Sequence, residues 1–193
     1  MKKTNWAKLS LAETAARISE HLQARGYATV LVGGACVSIY SDDRYQSLDL
    51  DYVAAEPLKQ LAAALKPLHF IRGSGRHFTH PDSPYLIEFI APPVAIGNEA
   101  PITRTARHVT KAGIITMLTA TDCVKDRLAA FIHWHDPQAL EQSLMVAAQQ
   151  NVNLGQIRQW AKNERGLPQY ETFRRKLAAR RKIAIRKSPR RTR

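Results

Sequence analysis

Apolar positions recur with helical spacing near the start of the chain, at Leu11, Ala15, Ile18 and Leu22. Ser10 and Glu13 have the spacing of a capping box, so the pattern predicts an amphipathic helix that ends before Gly26. Residues 28–33 follow as a short apolar, β-branched run, which predicts a strand buried on both faces.

The next elements are indicated by alternation and by turn residues. Residues 35–40 are predicted to be helical, and residues 48–53 alternate with period two, as a half-buried strand does. Pro57 opens a further helical stripe. Two candidate strands, 76–79 and 85–91, are joined by a turn-rich segment, which predicts a hairpin.

Helical signals dominate the second half of the chain. Thr121 is a candidate cap for one helix, Pro137 opens another, and Asn153 is a candidate cap for a third. The succession of elements predicts an α/β or α+β core with a mixed sheet over residues 1–115, followed by a helical subdomain over residues 116–173.

Positive charge is concentrated at the C-terminal end. The 193 residues have a formal net charge of +13, and residues 174–193 contribute eleven basic side chains and no acidic one, which leaves +2 for the rest. Such a density of like charge predicts a tail that is partly disordered without a polyanion. Since the tail lacks Trp and has few apolar residues, a nucleic acid suits it better than an anionic membrane surface.

The remaining composition excludes several classes of protein. Cys36 and Cys123 lie in apolar runs, which indicates buried thiols rather than disulfides or a zinc site. No stretch approaches the roughly 20 apolar residues of a membrane span, and no apolar leader follows the first three residues. We therefore expect a cytoplasmic protein.

The first candidates for chemistry are Asp49 and Asp51. Two residues apart on a predicted strand, their carboxylates leave the same face, with Cα atoms about 6–7 Å apart. Because the two charges repel, a hard divalent cation such as Mg²⁺ is a favourable partner. Glu88 is the candidate third ligand, since an unpaired carboxylate in the apolar run 85–90 costs on the order of several kcal/mol.

A pair of glycines precedes the acidic strand. Gly33 and Gly34 close the first buried strand, fifteen residues before Asp49. Because glycine has no Cβ atom, backbone amides there can approach phosphate oxygens at a helix N-terminus, and Ser38 adds a hydroxyl one turn later.

Together these residues resemble a known family. Val32, Gly33 and Gly34, followed by the Leu-Asp-Leu-Asp run at residues 48–51, look like the signature of the polymerase-β-like nucleotidyltransferases. They are most similar to the minimal bacterial branch that includes abortive-infection and toxin-antitoxin enzymes. The resemblance covers residues 28–91.

The resemblance implies a division of roles among the candidate residues. Gly33 and Gly34 would contact the phosphates of an NTP such as ATP, while Asp49, Asp51 and Glu88 would hold Mg²⁺ or Mn²⁺. Glu88 is also implied as the base toward the acceptor hydroxyl.

Two further residues come from the helical part. The resemblance there implies that Lys125 neutralises triphosphate charge and that Asp136 orients the nucleotide.

Each of these residues also has a structural interpretation. The aspartates could line a solvated strand face, Glu88 could pair with Arg72 or Arg76, and Lys125 could belong to the polar face of an amphipathic helix with Asp126 and Arg127. For the histidines and aspartate of residues 133–136, packing and capping at a helix end is the favoured interpretation over metal binding.

The predicted activity is transfer of a nucleoside monophosphate from an NTP to an acceptor hydroxyl, with release of pyrophosphate. The basic tail favours RNA as acceptor, for example a tRNA end. The resemblance leaves room for a toxin or phage-defence role with a cognate antitoxin. Two alternatives stay open: a non-catalytic nucleic-acid-binding protein on the same fold, and a small-molecule nucleotidyltransferase of the antibiotic-modifying kind.

Overall fold

The computed structural model describes the backbone of residues 4–187 and the side chains of residues 4–183. Its elements, in chain order, are α1 (Leu11–Gln23), β1 (Thr29–Val32), α2 (Gly33–Tyr40), β2 (Asp49–Ala54), α3 (Leu58–Leu65), β3 (Ile71–Arg72), β4 (His77–Thr79), β5 (Leu86–Ile90), β6 (Thr105–Thr110), β7 (Gly113–Leu118), α4 (Ala120–Trp134), α5 (Pro137–Gln149), α6 (Leu154–Asn163) and α7 (Leu167–Lys187). The expected α/β architecture is confirmed.

The strands form one seven-stranded mixed sheet in the order β3-β4-β5-β2-β1-β7-β6. Strand β2 runs antiparallel to β1 and parallel to β5, while β7 runs parallel to β1. The end of β1, the start of β2 and the start of β5 therefore meet at one edge of the sheet. This edge carries the candidate site.

The core is continuous between the sheet and the helices. Leu50 and Tyr52 of β2 are fully buried, as is Phe173 of α7. The buried Tyr52 hydroxyl donates to the Ala15 carbonyl of α1 at 2.9 Å, which gives its polar atom a partner. The strand that bears the acidic pair is thus fixed from inside the protein.

Several sequence signals are confirmed at the atomic level. Ser10 and Glu13 form both hydrogen bonds of the capping box on α1. Asn153 caps α6, and β4 and β5 form the expected antiparallel hairpin. Cys36 and Cys123 are buried free thiols.

One cap was misplaced by two residues. Thr119, not Thr121, caps α4, and its hydroxyl accepts from the Asp122 backbone N–H at 3.1 Å. The Thr121 hydroxyl instead accepts from the Asn153 N–H at 3.0 Å. The helix therefore starts earlier than the sequence suggested.

The C-terminal segment begins as a helix. Within residues 4–187, α7 continues to Lys187, and the remainder of the predicted basic tail, residues 188–193, lies outside the described residues. None of the helices described is long and apolar enough to cross a membrane.

Candidate active site

The site is built around the turn from β1 into α2. Gly33 has a φ of +68°, which L side chains rarely adopt, and a Cβ atom added to it would lie 2.4 Å from Asp51 Oδ2. At Gly34 the corresponding atom would lie 3.0 Å from Ser47 Oγ. The chain therefore needs glycine at position 33, where the Asp51 carboxylate lies directly against the backbone that opens α2.

Three carboxylates belong to this edge of the sheet. Asp49 and Asp51 are two residues apart on β2, and Asp51 lies opposite Glu88 in the parallel register of β2 with β5. Paired residues of neighbouring strands project from the same face of a sheet. The topology thus brings Glu88 beside the acidic pair, as the sequence predicted for the third carboxylate.

The electrostatics show how concentrated this negative charge is. Burial raises the pKa of Asp51 to about 6, together with the smaller effects of the charges on Glu88 and Asp49. The Arg127 guanidinium acts in the opposite direction and lowers the pKa. A cation bound here would relieve the repulsion that the fold imposes.

The third carboxylate is engaged with a basic residue. Arg76 Nη2 lies 3.0 Å from Glu88 Oε1, and the Glu88 side chain is 25% exposed. This is one of the two ion pairs that the sequence left open as an alternative to metal binding. Glu88 in this conformation therefore faces a cation that the chain itself supplies.

The donor set fits a hard divalent cation in its chemistry, because all three side chains are carboxylates on one sheet face. Among residues 4–183, no three His, Cys, Asp or Glu side chains converge closely enough to form a metal site as they stand. Asp49 and Asp51 would hold such an ion, and Glu88 would join them after leaving Arg76.

Ser38 has a structural task in this arrangement. It is fully buried, and its hydroxyl accepts from the Ser47 backbone N–H at 2.9 Å. Ser38 thereby ties the loop before β2 to helix α2, so its expected contact with phosphate stays a prediction.

Lys125 is buried on α4 rather than solvated. Its ammonium lies 3.1 Å from both Glu99 Oε2 and Asp122 Oδ1. It lines a cavity of about 520 Å³ between the loop before β6 and helix α6, with Arg104 and Trp160. Lys125 thus belongs to a buried group of ion pairs and not to a solvated helix face, and its expected role toward a triphosphate stays a prediction.

Arg127 is a member of the site that sequence analysis missed. Its Nε atom donates to Asp126 Oδ2 at 3.0 Å, and the charges of both residues act on Asp51. The sequence signal is three consecutive charged residues on a helix with an apolar face, and it leaves a polar helix face open as an alternative. That spacing does not show that Arg127 is half-buried and acts on Asp51.

Asp136 caps the next helix. Its Oδ1 accepts from the Gln138 N–H at 2.8 Å at the start of α5, while His135 ends α4 in the left-handed conformation. His133 Nε2 lies 2.9 Å from Glu164 Oε2. Packing and capping are thus what these residues do in this structure, and the role of Asp136 toward a nucleotide stays a prediction.

No protein-family model and no curated protein matches the chain. Among solved structures, it is similar to an antigenic nucleotidyltransferase-like protein from Paracoccidioides brasiliensis, with a TM-score of 0.54 and 12% identity over 71% of this chain and 73% of that one. Antibiotic-resistance factor ANT(2'')-Ia in complex with adenylyl-2''-tobramycin has a TM-score of 0.45 and 12% identity over 83% and 94%. A tRNA-processing enzyme in an apo form has a TM-score of 0.37 and 15% identity over 81% and 48%.

The first of these similarities defines the class of fold. With the mixed sheet and its helices, the chain has the nucleotidyltransferase fold. At 12% identity the likeness concerns the fold alone, so the activity must be argued from the site.

Proposed function

We propose that this protein transfers a nucleoside monophosphate from an NTP to an acceptor hydroxyl in the presence of Mg²⁺ or Mn²⁺. The proposal depends mainly on the Asp51 carboxylate, which lies against Gly33 at the start of α2 with Glu88 beside it in register. This arrangement places carboxylates next to the N-terminus of α2, where backbone N–H groups favour anions, and Gly33 itself is buried beneath Asp51 in this structure.

The side chains divide the work in this proposal. Asp49 and Asp51 would hold the cation, which would stabilise phosphoryl charge and lower the pKa of the acceptor hydroxyl. The backbone at Gly33 and Gly34 receives the phosphates. Glu88 accepts the proton of the acceptor hydroxyl after its carboxylate has separated from Arg76. Lys125 offsets triphosphate charge.

RNA is the favoured acceptor, because the chain carries its excess positive charge at one end. A protein hydroxyl or a small molecule would need no such charge. A toxin role with a cognate antitoxin is compatible with this chemistry.

A non-catalytic nucleic-acid-binding protein is the second candidate. The ion pair between Arg76 and Glu88 favours this candidate. If Glu88 stayed paired with Arg76, no carboxylate would be available there to accept the proton of the acceptor hydroxyl. An antibiotic-type enzyme is distinguished by its acceptor, a small hydroxylated molecule in place of RNA.

The test uses the full chain with each α-labelled NTP, Mg²⁺ and either total RNA or a small hydroxylated acceptor. Wild type is compared with Asp49→Asn and Asp51→Asn. Label transferred by wild type and lost in both variants supports the enzyme. RNA binding without any transfer supports the binding protein.

A further inference from the structure

Helix α7 has two faces with different surroundings. Its buried residues Tyr170, Phe173 and Leu177 recur at i, i+3 and i+7, so they form one apolar stripe toward the protein. The Tyr170 hydroxyl donates to the Leu154 carbonyl of α6 at 3.2 Å. This stripe fixes the direction in which every other side chain of the helix projects.

Three of the cations on α7 serve to hold the helix against α5. Lys176 Nζ lies 3.7 Å from Glu141 Oε1, and Arg180 pairs with the other oxygen of the same carboxylate. Arg181 Nη2 donates to the Ala147 carbonyl at 3.0 Å. These cations have partners on the protein itself.

The opposite face carries cations of another kind. Arg175 and Lys182 are exposed and have no acidic partner among the described residues, and the exposed Ala178 and Ala179 lie between them. Lys182 follows Arg175 by seven positions, so the two residues lie about 10.5 Å apart along the helix axis. Arg174 adds a third charge beside this stripe, where it pairs with the exposed Glu171.

We propose that this outer face of α7, defined by Arg175, Ala178, Ala179 and Lys182, binds the phosphate backbone of a nucleic acid. Small side chains between two cations let a backbone lie close to the helix while its phosphates reach both charges. Within residues 167–183 of α7, Ile183 beside Lys182 is the one exposed large apolar side chain, whereas a membrane-surface helix needs a continuous apolar face. The inference deepens the proposed function, since it names the surface that brings an RNA acceptor to the protein.

The test measures binding of a fluorescent RNA hairpin to the full chain by anisotropy at several salt concentrations. The variant is Arg175→Ala with Lys182→Ala. The matched control removes two exposed lysines elsewhere, Lys59→Ala with Lys66→Ala, so that the net charge changes equally. A DNA hairpin of the same sequence and anionic vesicles form the two other arms, and circular dichroism verifies folding.

We expect the α7 variant to bind RNA about tenfold or more weakly and to reduce the slope of log affinity against log salt by about 2, with a much smaller change in the control. Weaker binding of RNA alone, or of RNA and DNA alike, supports the inference and shows whether the face distinguishes the two nucleic acids. Equal changes in variant and control, or a loss confined to vesicle binding, would overturn the inference. This experiment measures binding and not catalysis, so the two proposals can fail separately. If the protein binds RNA through this face but transfers no label, the proposed activity is wrong and the binding surface stands.

Discussion

The Asp51 carboxylate occupies the space that a side chain at Gly33 would need: a Cβ atom there would lie 2.4 Å from Asp51 Oδ2. The glycine turn and the acidic strand are therefore one unit, although seventeen residues separate them in sequence. A side chain at position 33 would therefore displace the Asp51 carboxylate.

Gly33→Ala is expected to abolish activity. Positive φ costs a non-glycine residue about 1–3 kcal/mol, and the new methyl group also displaces Asp51. Gly26→Ala is the matched control, because Gly26 has a φ of +80° and nothing within 4 Å of the added Cβ. Label transfer and thermal unfolding are measured on both; Gly33→Ala with normal activity would contradict the account.

The ionised form of Asp51 is expected to destabilise the fold. Its pKa is raised to about 6, so the folded protein holds this proton more tightly than the unfolded chain. The stability that this carboxyl provides is complete below about pH 4 and is lost as the pH rises through about 6, on the order of 2–3 kcal/mol.

Asp51→Asn should therefore raise the free energy of unfolding at pH 7.5 and flatten its pH dependence between pH 4 and 6. Asp49→Asn, at an exposed position, should change both much less. Urea unfolding across this pH range checks the prediction. Equal effects of the two substitutions would show that the site does not concentrate charge on Asp51.

Arg76→Ala is expected to tighten binding of Mn²⁺ several-fold. The substitution removes the guanidinium that lies 3.0 Å from Glu88, so the third carboxylate becomes free to bind the metal ion. Arg72→Ala is the control, because Arg72 donates to the Gly75 carbonyl in the same hairpin and not to a carboxylate. Calorimetric titration with Mn²⁺ reads out the affinity, and unchanged or weaker binding in Arg76→Ala would count against a metal role for Glu88.

Glu164→Ala is expected to destabilise the protein by about 3 kcal/mol. The carboxylate is buried and accepts from the Asn98 N–H and side-chain amide at 2.8 Å each, and His133 lies 2.9 Å away. Removing it leaves these groups without a partner. Glu171→Ala, at an exposed ion pair, should cost no more than about 1 kcal/mol. Thermal unfolding of both variants measures the two losses of stability and tests this prediction.

Local signals predicted much of the fold. Ser10 and Asn153 cap helices as their sequence context indicates, because caps depend on residues three positions away. Strands β6 and β7 were not predicted. The alternating residues of β6 are at best half-buried, so the apolar contrast that marks a strand is weak there.

The site was predictable where it depended on short spacings and not where it depended on packing. The Asp-x-Asp pair and the two glycines were readable from sequence, whereas the register of Asp51 with Glu88 requires the strand order. Two partners for Glu88 were left open, and the structure selects Arg76. Burial of Lys125 follows from α4 packing beneath the loop that carries Glu99, a long-range contact that helical periodicity does not encode.

The most direct test of the central claim compares two labels of the same NTP in the presence of Mg²⁺ and RNA. The account predicts that a label on the α-phosphate reaches the RNA, that a label on the γ-phosphate leaves as pyrophosphate, and that Asp51→Asn stops both. Transfer of the γ-label to RNA, or α-label transfer that survives in Asp51→Asn, would contradict it.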